Sequence, residues 1–251
     1  MLMIQYCTSK NINDLGQKLN ADLAVVSKWF IGNLLTLHSS KCKFIVFGSP
    51  QKLINVSNTS LQVDGKQLER TESFKYLGVT VQQSMSWTDH VDIMSKKVNQ
   101  RIGVIKRIKY LLPIEARQTI YNSLIIPLFD YGDILWGKKN NETLMNQLQT
   151  LQNKAAKVLL DQTPQSSATE AFSTLDWKPL SSRRSFHRLT TMHKCMHGGI
   201  DLDFSFMKNS SVHNYNTRSL NNLHLPRVRT VLTGENKGSF TMQQMSGTVW
   251  I

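Results

Sequence analysis

Val91, Met94, Val98, Ile102, Ile105, Ile108 and Leu112 recur at steps of three and four residues, the spacing that puts side chains on one face of an α-helix. Sustained over about six turns, the stripe predicts a long amphipathic helix. It opens after Trp87, with Thr88 or Asp89 as its cap. The pattern stays helical from there. Pro113 suits the first turn of a next helix that carries Ile120 and Leu124 inward. Leu144, Leu148, Leu151, Ala155 and Val158 mark another, and Arg183 to His197 a further one. Between them the apolar stretch IIPLFDYGDILWG, broken by Pro127 and Gly132, reads as a buried helical or irregular connection.

The residues before Trp87 read differently. Leu2 to Cys7 is a short strand-like run. Asn13 can cap a helix in which Leu15, Leu19, Leu23, Val26 and Phe30 share a face, and Gly32-Asn33 ends it. Lys43 to Gly48, KFIVFG, has the β-branched and aromatic content of a strand. Asp64-Gly65 between alternating segments predicts a tight hairpin. Phe74 to Val81 predicts one further strand, with Gly78 where another backbone or a ligand can come close. The expected fold class is α+β. A small mixed hairpin-and-helix region covers 1–86, a mainly α-helical bundle covers 87–199, and the Asn- and Ser-rich residues 200–251 form a loosely ordered tail. Three or four strands with one helix make a thin core, and such a sheet has an unpaired edge.

Charge narrows the partner. The formal balance of +13, from 30 Lys plus Arg against 17 Asp plus Glu, favours a polyanion, nucleic acid before an anionic membrane. It is concentrated on and after the long helix. Lys96, Lys97, Arg101, Lys106, Arg107 and Lys109 lie on and around the face opposite the apolar stripe, and Arg117 follows on the next helix. Against these seven cations, residues 95–118 hold one acid, Glu115. If five of them neutralise phosphates, log K falls with log salt at a slope of roughly −3.5 to −4.5. Such contacts position a duplex without reading its bases.

Other chemistries find little support. Cys7, Cys42 and Cys195 form no even framework and no CxxC pair, which points to a reducing compartment. MLMIQYC is too short for a signal peptide and no run is long enough to cross a bilayer, so an intracellular protein, cytoplasmic or nuclear, is expected. The Asn-x-Ser/Thr triplets at Asn55, Asn58, Asn141 and Asn209 are then chance matches. His193, Cys195 and His197 alternate along a helix, and no second Cys/His pair completes a zinc site; the reading is a buried Cys195 beside two surface histidines. Asp130 and Asp133 in DYGD, and Asp201 and Asp203, read as ordinary polar groups. Trp136, Trp177 and Trp250 read as core. No Gly-rich phosphate loop or Gly-x-Ser-x-Gly elbow is present.

Four collinear blocks carry a family resemblance. YLGVTV followed by SWTDHV resembles the strand, turn and helix that follow the catalytic core in reverse transcriptases of LINE-type (non-LTR, jockey-like) retrotransposons. LAVVSKWFIGNLLTLHSSKCKFIVFG, with Trp29, Asn33, Leu35, Lys41 and Phe44 to Phe47, is similar to that family's helix-plus-strand segment. IYNSLIIPLFDYGDILWG resembles its thumb, and HNYNTRSLNNLHLPRVRT its C-terminal extension. The resemblance implies that residues 1–86 are the end of a palm, with Tyr76, Leu77 and Gly78 in a primer-grip-like strand. It further implies a thumb over 87–199.

The departure from the family matters more. Its polymerases hold two Mg²⁺ ions on a Tyr-x-Asp-Asp turn and a third carboxylate; that turn would precede the strand matched by MLMIQYC. No Asp-Asp dipeptide occurs in this sequence. The expectation is therefore a primer- and template-gripping part of an RNA-directed DNA polymerase, inactive alone. It has no catalytic or metal-ligating residues and no cofactor of its own. Its partner is RNA–DNA hybrid or duplex bound without sequence preference, with no membrane and no small-molecule substrate. The alternative is a domesticated sequence-independent nucleic-acid-binding or interaction protein that has kept the thumb.

Overall fold

The computed structural model describes residues 5–6, 12–38, 42–48, 51, 53, 60–137, 141–200, 207–212, 215, 218–224 and 249–250. The fold is α+β, and the chain divides into two compact units, one of residues 1–89 with Val249–Trp250, the other of residues 90–228.

The first unit contains β1 (Gln5–Tyr6), α1 (Ile12–Gly32), β2 (Lys43–Val46), β3 (Gln62–Val63), β4 (Lys66–Gln67), β5 (Glu69–Arg70), β6 (Ser73–Tyr76), β7 (Val79–Gln82) and β8 (Val249–Trp250). One sheet runs in the order β1, β8, β2, β5, with β8 antiparallel to both neighbours and β2 parallel to β5. Phe44, Ile45, Val46 and Phe47 are all buried, as a strand covered on both faces requires. Phe44 and Val46 join Leu19 and Leu23 of α1 and Leu61, Val63 and Leu68 in one small core. Asp64 and Gly65 adopt φ of 51° and 73° between β3 and β4, the left-handed pair that a two-residue hairpin needs. The turn is tied to α1, because Ser27 Oγ donates to the Asp64 carboxylate and Asn20 Oδ1 accepts from Gln62 N at 2.9 Å.

The expected single strand from Phe74 to Val81 is instead a second hairpin. β6 and β7 pair antiparallel with Tyr76 opposite Val79, so Leu77 and Gly78 are its two turn residues. Their φ values, 45° and 88°, are both positive, which again matches a tight hairpin loop. Gly78 is there because glycine enters the left-handed region without penalty.

The second unit is helical. α2 (Thr88–Ile108) runs into a 3-10 turn (Lys109–Leu111) and is followed by α3 (Ile114–Leu124), α4 (Ile126–Asp130), α5 (Asp133–Trp136), α6 (Glu142–Leu159), α7 (Ala168–Leu175) and α8 (Leu180–Met196). α2 buries Val91, Met94, Val98, Ile102 and Ile105, the predicted stripe. α6 lies along it, with Gln147 Nε2 donating to Asp92 Oδ1 at 3.1 Å and Lys154 Nζ to Asn99 Oδ1 at 2.9 Å. Gly132, at φ 65°, breaks the apolar connection into α4 and α5. α8 begins at Leu180, three residues before the periodicity suggested, directly after Pro179. α7 had no counterpart in the sequence reading; Ser167 caps it by accepting from Glu170 N at 3.3 Å.

Among the three tryptophans read as core, Trp136 is fully buried. Trp177 is half-buried and stacks on Tyr121 at 3.9 Å between ring centroids. β8 places Trp250 in the sheet. Within the expected loose tail, His224 N donates to Met207 O at 2.7 Å, and Asn209 N and Ser210 N donate to Asn222 O and Leu220 O, both at 2.9 Å. Met207–Val212 and Arg218–His224 are thereby clipped together. Residues 201–206 and 225–248 lie outside the described residues.

Candidate nucleic-acid interface

The outer face of α2 is built by its own periodicity. Lys96, Gln100, Gly103 and Arg107 follow at steps of four, three and four, which places them in one row opposite Val91, Val98 and Ile102. Lys97 and Lys106 flank the row. Lys96, Lys97, Lys106 and Arg107 are exposed. Lys106 and Arg107 also occupy the last turn, where cations offset the helix dipole. Asp92, one turn before Lys96, accepts a hydrogen bond from Gln147 instead of pairing with it. No acid occurs from residue 93 to residue 108. The result is a row of solvated cations whose counter-charge must come from outside the helix.

The other three cations of the expected set serve the fold. Arg101 donates to Leu124 O at the end of α3. Arg117 donates to Leu112 O at 2.9 Å and to Leu159 O at 2.7 Å, closing the end of α6. Lys109 turns inward; it is 7 % exposed and pairs with the Asp161 carboxylate, which raises its pKa. Their donors are committed because each sits within reach of an orphan carbonyl or carboxylate. Of the seven, Lys96, Lys97, Lys106 and Arg107 are solvated, whereas Arg101, Lys109 and Arg117 are engaged within the fold.

The expected primer-grip residues are the hairpin tip described above. Leu77 and Gly78 are exposed and Tyr76 is half-buried. A backbone-exposed tip replaces the expected strand with an open glycine at its middle.

A second constellation was not legible as such. Asp130, Asp133 and His187 present ligand atoms within 4.8 Å of one another. Asp130 binds Arg183 in the bidentate manner, through Nε at 3.2 Å and Nη2 at 2.5 Å. Asp133, buried at the start of α5, faces His187 Nδ1 at 2.7 Å; burial raises its carboxyl pKa, with the His187 bond opposing. Arg184 is 4 % exposed and lies over the Trp136 ring at 5.3 Å. Burial lowers its pKa to about 10. This cluster does not fit the Mg²⁺ of a polymerase. Both oxygens of Asp130 are held by one guanidinium, a second guanidinium lies beside Asp133, and the remaining ligand is an imidazole, whereas Mg²⁺ takes oxygen ligands with its waters. The cluster ties α8 to α4 and α5.

His193 and His197 come together at the end of α8, ring centroids 4.3 Å apart. Cys195 is half-buried, not fully buried as expected, and it does not join them. Among the described residues no helix is long and apolar enough to cross a membrane.

No protein-family model matches the chain, and no solved structure does. The chain is similar to the probable RNA-directed DNA polymerase from transposon BS of Drosophila melanogaster, at 27% identity over 142 residues. The match covers 51% of this chain, which spans 15% of that relative's length. The sequence is thus related to a stretch of a transposon reverse transcriptase.

Proposed function

We propose that this chain is a primer- and template-gripping region of a LINE-type reverse transcriptase, comprising the end of the palm and the thumb, and that it binds RNA–DNA hybrid or duplex without reading bases. The observation that carries the reading is the row of exposed cations on α2, Lys96, Lys97, Lys106 and Arg107, without acids among them. Its relation to an RNA-directed DNA polymerase supplies the polyanion such a row would meet. Flexible lysines on a regular helix suit phosphates, not base edges, so contact is with the backbone. The β6–β7 tip is proposed to approach the primer through the exposed Leu77–Gly78 backbone. The 251 residues themselves are proposed not to polymerise, since they hold no Asp-Asp turn and the Asp130–Asp133 pair is tied to arginine and histidine.

The test is a salt titration of binding to a fluorescent RNA–DNA hybrid. Four phosphate contacts give a slope of log K on log salt of roughly −2.8 to −3.6, the same for unrelated sequences. A flat dependence, or affinity that follows sequence, overturns the reading. Primer extension on an RNA template with Mg²⁺ is expected to yield nothing, and incorporation refutes the inactivity.

A further inference from the structure

Continuing the outer row of α2 one step beyond Arg107 reaches Tyr110. The positions 96, 100, 103, 107 and 110 keep steps of four, three, four and three. The last step falls where α2 passes into the 3-10 turn Lys109–Leu111, in which side chains three apart eclipse. From Lys96 to Tyr110 the row is roughly 21 Å long at 1.5 Å per residue. Its cationic part ends in an aromatic ring that is 74 % exposed, next to Leu111 at 81 %.

Two large side chains are thus exposed in succession where the row of cations ends, and the ring is also held in place. Lys109 Nζ lies over it, 4.7 Å from the centroid. That ammonium is itself fixed by Asp161. A cation on one face restrains the ring and leaves the other face to the solvent. An ordered aromatic surface at the end of a row of phosphate-binding cations has the composition of a stacking platform for bases.

We propose that Tyr110 stacks on an unpaired nucleobase at the end of the duplex held along α2, with Lys109 and Asp161 as positioning residues. The inference rests on the gripping function proposed above. It gives the interface a polarity: phosphates meet Lys96 to Arg107, and the strand leaves its duplex at Tyr110. The charge around the ring favours this occupant, because Lys106 and Arg107 beside it are solvated and attract a polyanion ahead of an apolar protein segment.

The test compares two RNA–DNA hybrids of equal duplex length, one blunt and one with a short single-stranded overhang carrying 2-aminopurine next to the duplex. The whole chain is expected to bind the overhang hybrid roughly tenfold more tightly than the blunt one and to quench the 2-aminopurine. Tyr110→Ala should abolish both the preference and the quenching while leaving blunt-hybrid affinity unchanged. Tyr110→Phe should retain both, and Asp161→Asn should weaken both. An overhang preference that survives Tyr110→Ala, or its absence in the unmodified chain, sinks the inference while leaving duplex gripping intact. Failure to bind either hybrid at low salt overturns the gripping reading and this one with it.

Discussion

The outer face of α2 and the seam where α8 meets α4 and α5 are both rich in charge, and they treat it oppositely. On α2, Lys96, Lys97, Lys106 and Arg107 stand in solvent with no acid between residues 93 and 108. In the seam, Arg183 is locked to Asp130, His187 to Asp133, and Arg188 Nη1 to Gly137 O at 2.8 Å. Arg183, His187 and Arg188 tie helices together and are left with little to offer a ligand, while the buried Arg184 beside them keeps Nε and Nη2 without a hydrogen-bond partner among the described residues. Among the described residues the four exposed α2 cations make no ion pair or hydrogen bond, so their donors are left to the solvent. Composition alone sees one basic protein; the placement of the acids separates structural cations from those free to bind.

The largest effect that could break this contrast lies in the seam. Asp133 is 3 % exposed, and its removal leaves His187 and the buried Arg184 without their nearest carboxylate. Asp133→Ala should lower unfolding stability by about 3–5 kcal/mol, read from urea midpoints. A loss near zero would mean that the seam is as loosely coupled as the outer face.

His90 tests the inner side of α2, where its ring meets Trp136 at 5.5 Å between centroids. Burial lowers its pKa from the usual 6.5, with Lys97 adding to the effect. The unfolded chain therefore takes up this proton at a higher pH than the folded chain does. Stability conferred by the neutral ring is present above pH 6.5 and is lost as pH falls below it, levelling off once the folded form also protonates. His90→Gln should flatten that acid-side decline in a pH series of melting curves. An unchanged decline would assign it to other groups.

These two regions differ just as much in how far the sequence revealed them. The apolar stripe of α2 was legible because one helix carries the whole signal, and Val91, Met94, Val98, Ile102 and Ile105 are all buried. The seam was not legible, because Asp130 and Asp133 lie 53 and 54 residues from Arg183 and His187 and no local period links them. The four exposed cations stood in the sequence beside Arg101, Lys109 and Arg117, and nothing local set the two groups apart. What distinguishes these three is the end of another element nearby, Leu124, Asp161 and Leu159, which only the fold brings close. The hairpins repeat the lesson. Asp64-Gly65 announces its turn, whereas Leu77-Gly78 hides inside a run of strand-forming residues from Phe74 to Val81, since leucine at φ 45° is unusual.

Gly103 sharpens the contrast from the outer side. It interrupts the exposed row of α2, and a Cβ built there meets nothing within 4 Å. With no packing reason for the glycine, Gly103→Ala should raise stability by about 1 kcal/mol through backbone entropy alone. A destabilising result would mean that the outer face is in contact with something in the folded chain.

The smallest effect on stability is expected where the effect on binding is largest. Replacing Lys96, Lys97, Lys106 and Arg107 together by Ala removes no ion pair and no helix-closing hydrogen bond among the described residues. Each substitution by itself should fall within about 0.5 kcal/mol in either direction. Lost dipole compensation at Lys106 and Arg107 works against the good helix propensity of alanine. The same variant should lose nearly all the salt dependence of hybrid binding, because each phosphate contact contributes about 0.7–0.9 to the slope. Arg101, Lys109 and Arg117 supply the matched control. Their replacement should cost stability through unsatisfied carbonyls and an unpaired Asp161, while the slope measured on folded protein should stay near the unmodified value. If the inward set moved the slope and the outward set did not, the division between cations that build the fold and cations that face a ligand would be reversed.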